Sequence, residues 1–406
     1  MNKSCLNLDN VKIISFNVLT YKYKDSITKS CADNYKIDLK NSNMRSIKIY
    51  FLLLFLTRSL IAISSVQDSI TILRKKRAFL VLPLVINTPE TKFGGGALGT
   101  VIFKIGKDTI VRSSNVQSFI IYTQRKQIII ESGGGLFFNK ENYIVKWFGT
   151  YSYFPDRFYG LGNNTPKSNL ETYTYRQIYL TSQYMRKIYK KLYTGFDYEL
   201  QDVISLDYEP GGLFDQENIL GRNGGTASGL GPLIAWDNRN NAFYPTKGAY
   251  LQVSYVLYRK ITGSNFKFQT NFFDFRKFIK LGSQNVLALQ LFSQITAGDV
   301  PVRNLSYIGG PFIMRGYYLG RYRDNNAIAV QSEYRMHIWR RFGAVAFAGL
   351  GEVSERLKDY SIDGLKYSLG TGIRFAILPK EKINLRVDFA IGKNSSGFYL
   401  YLTEAF

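Results

Sequence analysis

Cysteine is almost missing from this 406-residue chain, occurring only as Cys5 and Cys31. Everything beyond position 31 is free of thiols, which excludes a disulfide framework and a cysteine-ligated metal centre there. Histidine occurs once, as His337, and no serine sits in a G-x-S-x-G elbow. An enzymatic barrel such as a phospholipase therefore lacks a recognisable catalytic constellation, and no metal or cofactor is expected. Proline is sparse, at 10 residues. After about residue 70 no stretch approaches the ~20 continuous apolar residues of a membrane-spanning helix. Despite a formal charge of +23, no run of five or six like charges occurs and no nucleic-acid motif is found, so nucleic acid is not an expected partner.

Aromatic residues and glycine are abundant: 30 Tyr, 29 Phe and 35 Gly. Aromatic and β-branched side chains suit pleated, half-buried surfaces. The basic residues are spread along the whole chain, and RKKR at Arg74–Arg77 is their densest cluster. An anionic lipid or lipopolysaccharide surface is the natural counter-charge for such a distribution.

From Met44 the chain reads MRSIKIYFLLLFLTRSLIAISS. Arg45 and Lys48 form a positive lead, Ile49–Leu56 a short apolar core, and Ala62, Ser64 and Ser65 a small-residue cleavage region. This is the layout of a secretory signal peptide. The expected organisation is a non-native extension over 1–43, a signal peptide over 44–65 and a short periplasmic lead over 66–78. A barrel over 79–406 follows.

From residue 79 onward, apolar and polar residues alternate in segments separated by polar or Gly/Asn-rich turns. In INLRVDF, Ile383, Leu385, Val387 and Phe389 share one face while Asn384, Arg386 and Asp388 share the other. IAVQSEYRMHI at 328–338 and YSLGTGIRFAI at 367–377 repeat the pattern. A soluble sandwich also alternates. Three features favour an outer-membrane barrel: persistence of the pattern along the chain, strands long enough to cross at a tilt, and a preceding export signal. The fold class is thus all-β, a transmembrane antiparallel barrel of about 16 strands, closed because lipid offers the backbone no hydrogen bonds. With both ends periplasmic, the long connections near 154–172, 209–224, 297–326 and 353–365 face outward. The short ones, at 139–142, 340–343 and 379–382, face inward. FKFQTNFFDFRKF at 266–278 changes phase, which predicts a bulge or a longer strand, and the register of 176–191 is ambiguous.

Between the eleventh and twelfth predicted strands lies IGGPFIMRGYYLGRYRD, residues 308–324. It resembles the sixth extracellular loop of the BamA/TamA outer-membrane insertase and translocase superfamily, also called the bacterial surface antigen family. The loop's features are met here by Gly309-Gly310 and by Arg315-Gly316-Tyr317. WDNRNNAFYPTKGAYL resembles the family's periplasmic turn, through Asp237, Arg239, Pro245 and Gly248. LGTGIRF at 369–375 resembles a family strand. LRVDFAIGKNSSGFYLYLTEAF resembles the C-terminal signal read by the barrel assembly machinery, through Phe398, Leu400, Leu402 and Phe406. The lead over 66–78 is too short for POTRA domains, so the resemblance is to a short branch lacking them. Two further departures are Gly349, near a place where the family often has an acidic residue, and Glu404, where the C-terminal signal prefers an apolar one.

The resemblance implies that the 308–324 loop folds into the lumen and that Arg315 contacts the inner wall. The alternation makes Glu333 and Asp388 lumenal, and a guanidinium fork suits carboxylates, so Glu333 is the first expected partner and Asp388 the second. Gly309, Gly310 and Gly316 would permit positive φ. Gly370 and Gly372 fit close strand packing near the seam, and the turn residues from Asp237 to Gly248 are expected to shape a turn. The implied function is insertion or translocation of polypeptides at the outer membrane of a Gram-negative bacterium, with polypeptide clients as partners. The alternative is a passive pore or structural surface antigen.

Overall fold

The repeated alternation is realised as a closed antiparallel barrel of sixteen strands, with a separate two-stranded ribbon. The computed structural model describes residues 77–105, 112–379 and 382–406. The expected extension and signal peptide, and nearly all of the periplasmic lead, lie outside the described residues.

The wall begins with β1 (Arg77–Thr88), β2 (Lys92–Phe103), β3 (Ser114–Thr123) and β4 (Ile128–Phe138). The tallest strands follow: β5 (Tyr143–Phe158), β6 (Glu171–Tyr189) and β7 (Leu192–Asp207). Next come β8 (Gly225–Asp237), β9 (Gly248–Tyr258), β10 (Phe268–Leu281) and β11 (Asn285–Gly298). The ribbon, β12 (Ser306–Ile308) and β13 (Tyr322–Asp324), sits within the connection to β14 (Asn326–Trp339). The wall ends with β15 (Phe342–Ser354), β16 (Lys366–Leu378), β17 (Ile383–Gly392) and β18 (Ser395–Leu402). A short helix α1 (Leu213–Gln216) lies in the connection from β7 to β8.

Burial is inverted relative to a soluble protein. On β14, Val330 is 55 % exposed while Glu333 and Arg335 are buried. On β17, Phe389 is exposed while Arg386 and Asp388 are buried. The outward residues include Phe79, Ile120, Ile234, Leu350, Ile373 and Phe398. Period-two alternation puts them all on the outer face, where lipid rather than protein covers them. Among the described residues no helix is long and apolar enough to cross a membrane; the strands do so.

The sixteen predicted strands correspond one to one with the wall strands. Of the two readings of residues 266–278, the bulge is not there: β10 runs unbroken to Leu281 and pairs in continuous register with both β9 and β11. Phe268, Phe272 and Phe278 fall on its lumenal face and only looked out of phase. Phe268 packs against Val300, Val302 and Leu305 of the long loop, and Phe278 packs against Phe406. Register shifts occur elsewhere, including Arg176/Gln177 and Lys187/Tyr189 on β6, within the segment of ambiguous register.

Closure is uneven. β1 pairs with β2 at every position from Arg77 to Thr88, yet with β18 only at Asn87↔Leu400. Continuing that antiparallel register would set residues 401–406 opposite 86–81. Instead Thr403 takes φ 65° and residues 404–406 are buried inside. From Ile86 back to its periplasmic start, β1 is left with a free edge on this side. Pro83, which lacks an N–H, lies in that stretch, as edge strands allow. The wall is also lowest here, with 8 residues in β18 and 10 in β17 against 19 in β6. A tilted crossing needs about 9–11.

Candidate functional site in the barrel lumen

The connection over 299–325 is long enough to leave the rim and re-enter the barrel. Three conformational details turn it. Gly309, Gly310 and Gly316 have φ of 114°, 101° and 105°, a region that L side chains rarely adopt. At Gly316 a Cβ would also lie 2.9 Å from the Ile391 carbonyl carbon. The loop's backbone therefore touches the β17 wall, which only glycine allows.

At its tip Arg315 is 1 % exposed. Its Nη2 donates to Glu333 Oε2 at 2.6 Å and its Nη1 to Asp388 Oδ2 at 2.5 Å. The guanidinium carbon lies 3.5 Å from the centre of the Phe347 ring, within cation–π range. Its carbonyl accepts from the Ser368 hydroxyl. Tyr317 is fully buried, with its ring over Gly392. The Tyr317 hydroxyl donates to the Tyr367 carbonyl at 2.7 Å and accepts from Lys393 N at 2.7 Å.

Both carboxylates are shared. Glu333 Oε1 accepts from Arg335 Nε at 2.8 Å, and Arg374 Nη2 lies 3.6 Å from Glu333 Oε2. Asp388 Oδ1 accepts from Arg374 Nη1 at 2.5 Å. Arg374 Nε donates to Glu404 Oε2 at 2.7 Å, and Asn384 donates to Glu404 Oε1 at 2.8 Å. Arg386 reaches Asp388 only at 3.7 Å and donates to the Pro311 carbonyl at 3.1 Å. The result is a buried network of four guanidinium groups and three carboxylates. Desolvation of so many charges is favourable only because nearly every carboxylate oxygen has a donor.

Arg335, Arg374, Arg386 and Glu404 were not anticipated as members. The three arginines lay on the polar face of their strands, which was a visible signal. Glu404 departs from the apolar preference of the C-terminal signal because it faces Arg374 instead of lipid. Phe398, Leu400 and Leu402 point outward. Phe406 does not join them: beyond the turn at Thr403 it enters the lumen and packs on Phe278, Val286 and Ala288, and its carbonyl accepts from Arg335 at 2.9 Å.

The network's geometry depends on Gly372. A Cβ there would lie 2.0 Å from Asp388 Oδ1 and 2.6 Å from the Val387 carbonyl oxygen. At Gly95 nothing lies within 4 Å. Gly372→Ala is therefore expected to cost about 1–3 kcal/mol by overpacking, and Gly95→Ala less than about 0.5. Urea unfolding in micelles checks this. Equal midpoint shifts for the two variants would refute the close-approach role.

The loop is also tied to the wall on both sides of the weak seam. Gly316 N donates to the Tyr399 hydroxyl on β18 at 2.9 Å. Leu319 N donates to Glu90, in the β1–β2 turn, at 2.6 Å. Further round, Tyr318 and Arg303 bond the two oxygens of Asp156 on β5 at 2.9 and 3.2 Å.

The predicted turn lies at the opposite rim. Arg239 Nε and Arg112 Nη1 donate to Asp237 at 2.9 and 2.8 Å. Gly248 has φ 105°, Pro245 is buried, and Ala249 N is held by Asn238 at 2.6 Å. This arrangement ties the β8–β9 turn to the β2–β3 connection, and from the same turn the Tyr244 ring reaches the lumenal network, 5.4 Å from the Arg335 guanidinium carbon.

No curated protein matches the chain in sequence. Among solved structures, BamA from Haemophilus ducreyi lacking POTRA domains 1–3 superposes with a TM-score of 0.52 at 13 % identity, over 81 % of this chain and 70 % of that one. CdiB from Acinetobacter baumannii gives a TM-score of 0.52 at 12 % identity, over 82 % of this chain and 60 % of that one. The chain thus spans under two thirds of CdiB, and these likenesses bear on fold alone. A family model, the Omp85 superfamily domain, matches residues 130–406. With its closed sixteen-stranded outer-membrane barrel, the chain belongs to the Omp85 superfamily.

Proposed function

We propose that this barrel assists insertion or translocation of polypeptides at the outer membrane, with the β1–β18 seam as the place where a client strand pairs. The observation that carries this is the single backbone pairing across the seam, Asn87↔Leu400. The free edge of β1 presents N–H and C=O groups for β-augmentation. At 8 residues β18 is shorter than a tilted crossing needs, so lipid thins against it at modest cost. The 299–325 loop acts as a clasp: it holds β18 through Tyr399 and the β1–β2 turn through Glu90, so seam opening breaks one of these bonds or carries the loop along.

A passive pore fits less well, since the loop and the 404–406 tail occupy the lumen. No bond chemistry is assigned: His337, the single histidine, is exposed near the rim. Expected partners are outer-membrane lipid and lipopolysaccharide around the apolar belt, polypeptide clients at the seam, and the barrel assembly machinery for the protein's own insertion. Outward Phe398, Leu400 and Leu402 suit that last role.

A photo-cross-linking residue at Val85, on the free edge, is expected to capture nascent outer-membrane polypeptides in cells. The same residue at Leu291, inside the paired wall on β11, is expected to capture none. Equal capture at both positions, or none at Val85, would overturn the seam as the client site.

A further inference from the structure

On the outward rim, four separate segments bring basic side chains to one cavity of about 450 Å³. Lys167 comes from the β5–β6 connection, Arg321 from the long loop, Lys366 from the start of β16 and Lys393 from the β17–β18 turn. Among the described residues lining it, none is acidic. Lys366 is only 5 % exposed, and its ammonium lies 5.0 Å from the centre of the Tyr322 ring. It has no carboxylate within ion-pair distance among the described residues. Glu352, the carboxylate acting on it, is engaged by Asn163 and Ser361 at 3.2 Å each. Arg321 is 7 % exposed and likewise meets no carboxylate. It donates to Thr165 Oγ1 and the Thr165 carbonyl at 2.6 Å, and its guanidinium stacks between Tyr159 and Tyr322 at 4.1 and 4.5 Å.

Buried cations without a counter-charge are costly, and here they share one cavity. We infer that this cavity is a binding site for a phosphorylated saccharide. The lysines and Arg321 would take the phosphate, a charge-assisted contact. Asn163, Asn164, Asn394 and Ser395 supply the neutral donors and acceptors that sugar hydroxyls need, and the Tyr322 ring forms an apolar wall. The same chemistry is carried by the headgroup of an outer-leaflet glycolipid and by a soluble sugar phosphate. The site shares the 299–325 loop and the start of β18 with the clasp and the seam, but the inference does not depend on the seam opening.

The test uses the purified barrel in detergent and in nanodiscs, with three probes: inorganic phosphate, glucosamine 1-phosphate and lipid A. The variant K366Q/K393Q removes two charges on the rim, and unchanged heat-modifiable gel mobility establishes that it is folded. Wild type is expected to bind the phosphosugar or lipid A, with inorganic phosphate competing, and the variant at least about tenfold more weakly. Binding of lipid A alone identifies the membrane glycolipid as ligand, whereas binding of glucosamine 1-phosphate identifies a soluble one. Equal binding by wild type and folded variant, or binding of no probe by wild type, overturns the inference.

Discussion

Glu333→Gln is expected to destabilise the barrel more than Arg315→Met, although Arg315 carries the family-like motif. Glu333 is the shared acceptor of Arg315 and Arg335, with Arg374 at 3.6 Å. Neutralising it leaves four buried guanidinium groups facing two carboxylates. Stripping a partner from a buried pair costs roughly 3–5 kcal/mol, because the remaining charge stays desolvated. Arg315→Met leaves three guanidinium groups and three carboxylates. Glu333 keeps Arg335, and Asp388 keeps Arg374 at 2.5 Å. The expected cost is about 1–3 kcal/mol, from lost charged hydrogen bonds. In the double variant the Arg315 substitution should cost less than alone, since one of its two charged acceptors has already gone and only Asp388 remains. Heat-modifiable mobility and urea midpoints in micelles give the ordering. A larger loss for Arg315→Met, or strict additivity, would show that loop anchoring and not charge balance holds this end of the lumen.

The barrel itself was legible because its rule is local. Residues two apart share a face, and the rule repeats sixteen times between turns of unequal length. Arg315 with Glu333 and Asp388 was legible in part, through the loop's resemblance and the polar faces of β14 and β17. The arginines that complete the network were not, because which lumenal residues reach one level depends on strand tilt and stagger. The phase change in β10 left a bulge and a longer strand equally open for a physical reason: a lumen normally polar is apolar where a loop or tail packs on it, as at Phe268 and Phe278. The inward turn of the tail had no local mark, since Thr403 adopts positive φ without being glycine. Glu404 was the one clue, an acid where lipid would refuse it.

Locking the seam is expected to abolish activity while raising stability. Asn87 and Leu400 are the one paired position between β1 and β18, and directly opposed residues of antiparallel strands have Cβ atoms about 4.5–5.5 Å apart. A disulfide needs about 3.5–4.5 Å, within reach of a small shift at a weakly held edge. The described barrel has no native thiol, so Asn87→Cys with Leu400→Cys creates the sole bridge there. If clients pair with the free edge of β1, the oxidised protein should fail to support assembly or export of outer-membrane polypeptides, and reduction should restore it. The control bridge joins Leu291 and Val330, which oppose each other in the continuous β11–β14 pairing. Oxidising that pair should leave activity unchanged, because the wall there has no reason to open. Both bridges tether the unfolded chain, so both should resist unfolding better than the reduced forms. Only the seam bridge should separate stability from function. Full activity of the oxidised seam variant would mean that the strands need not part and that the single pairing at Asn87 is a structural accident of a short β18.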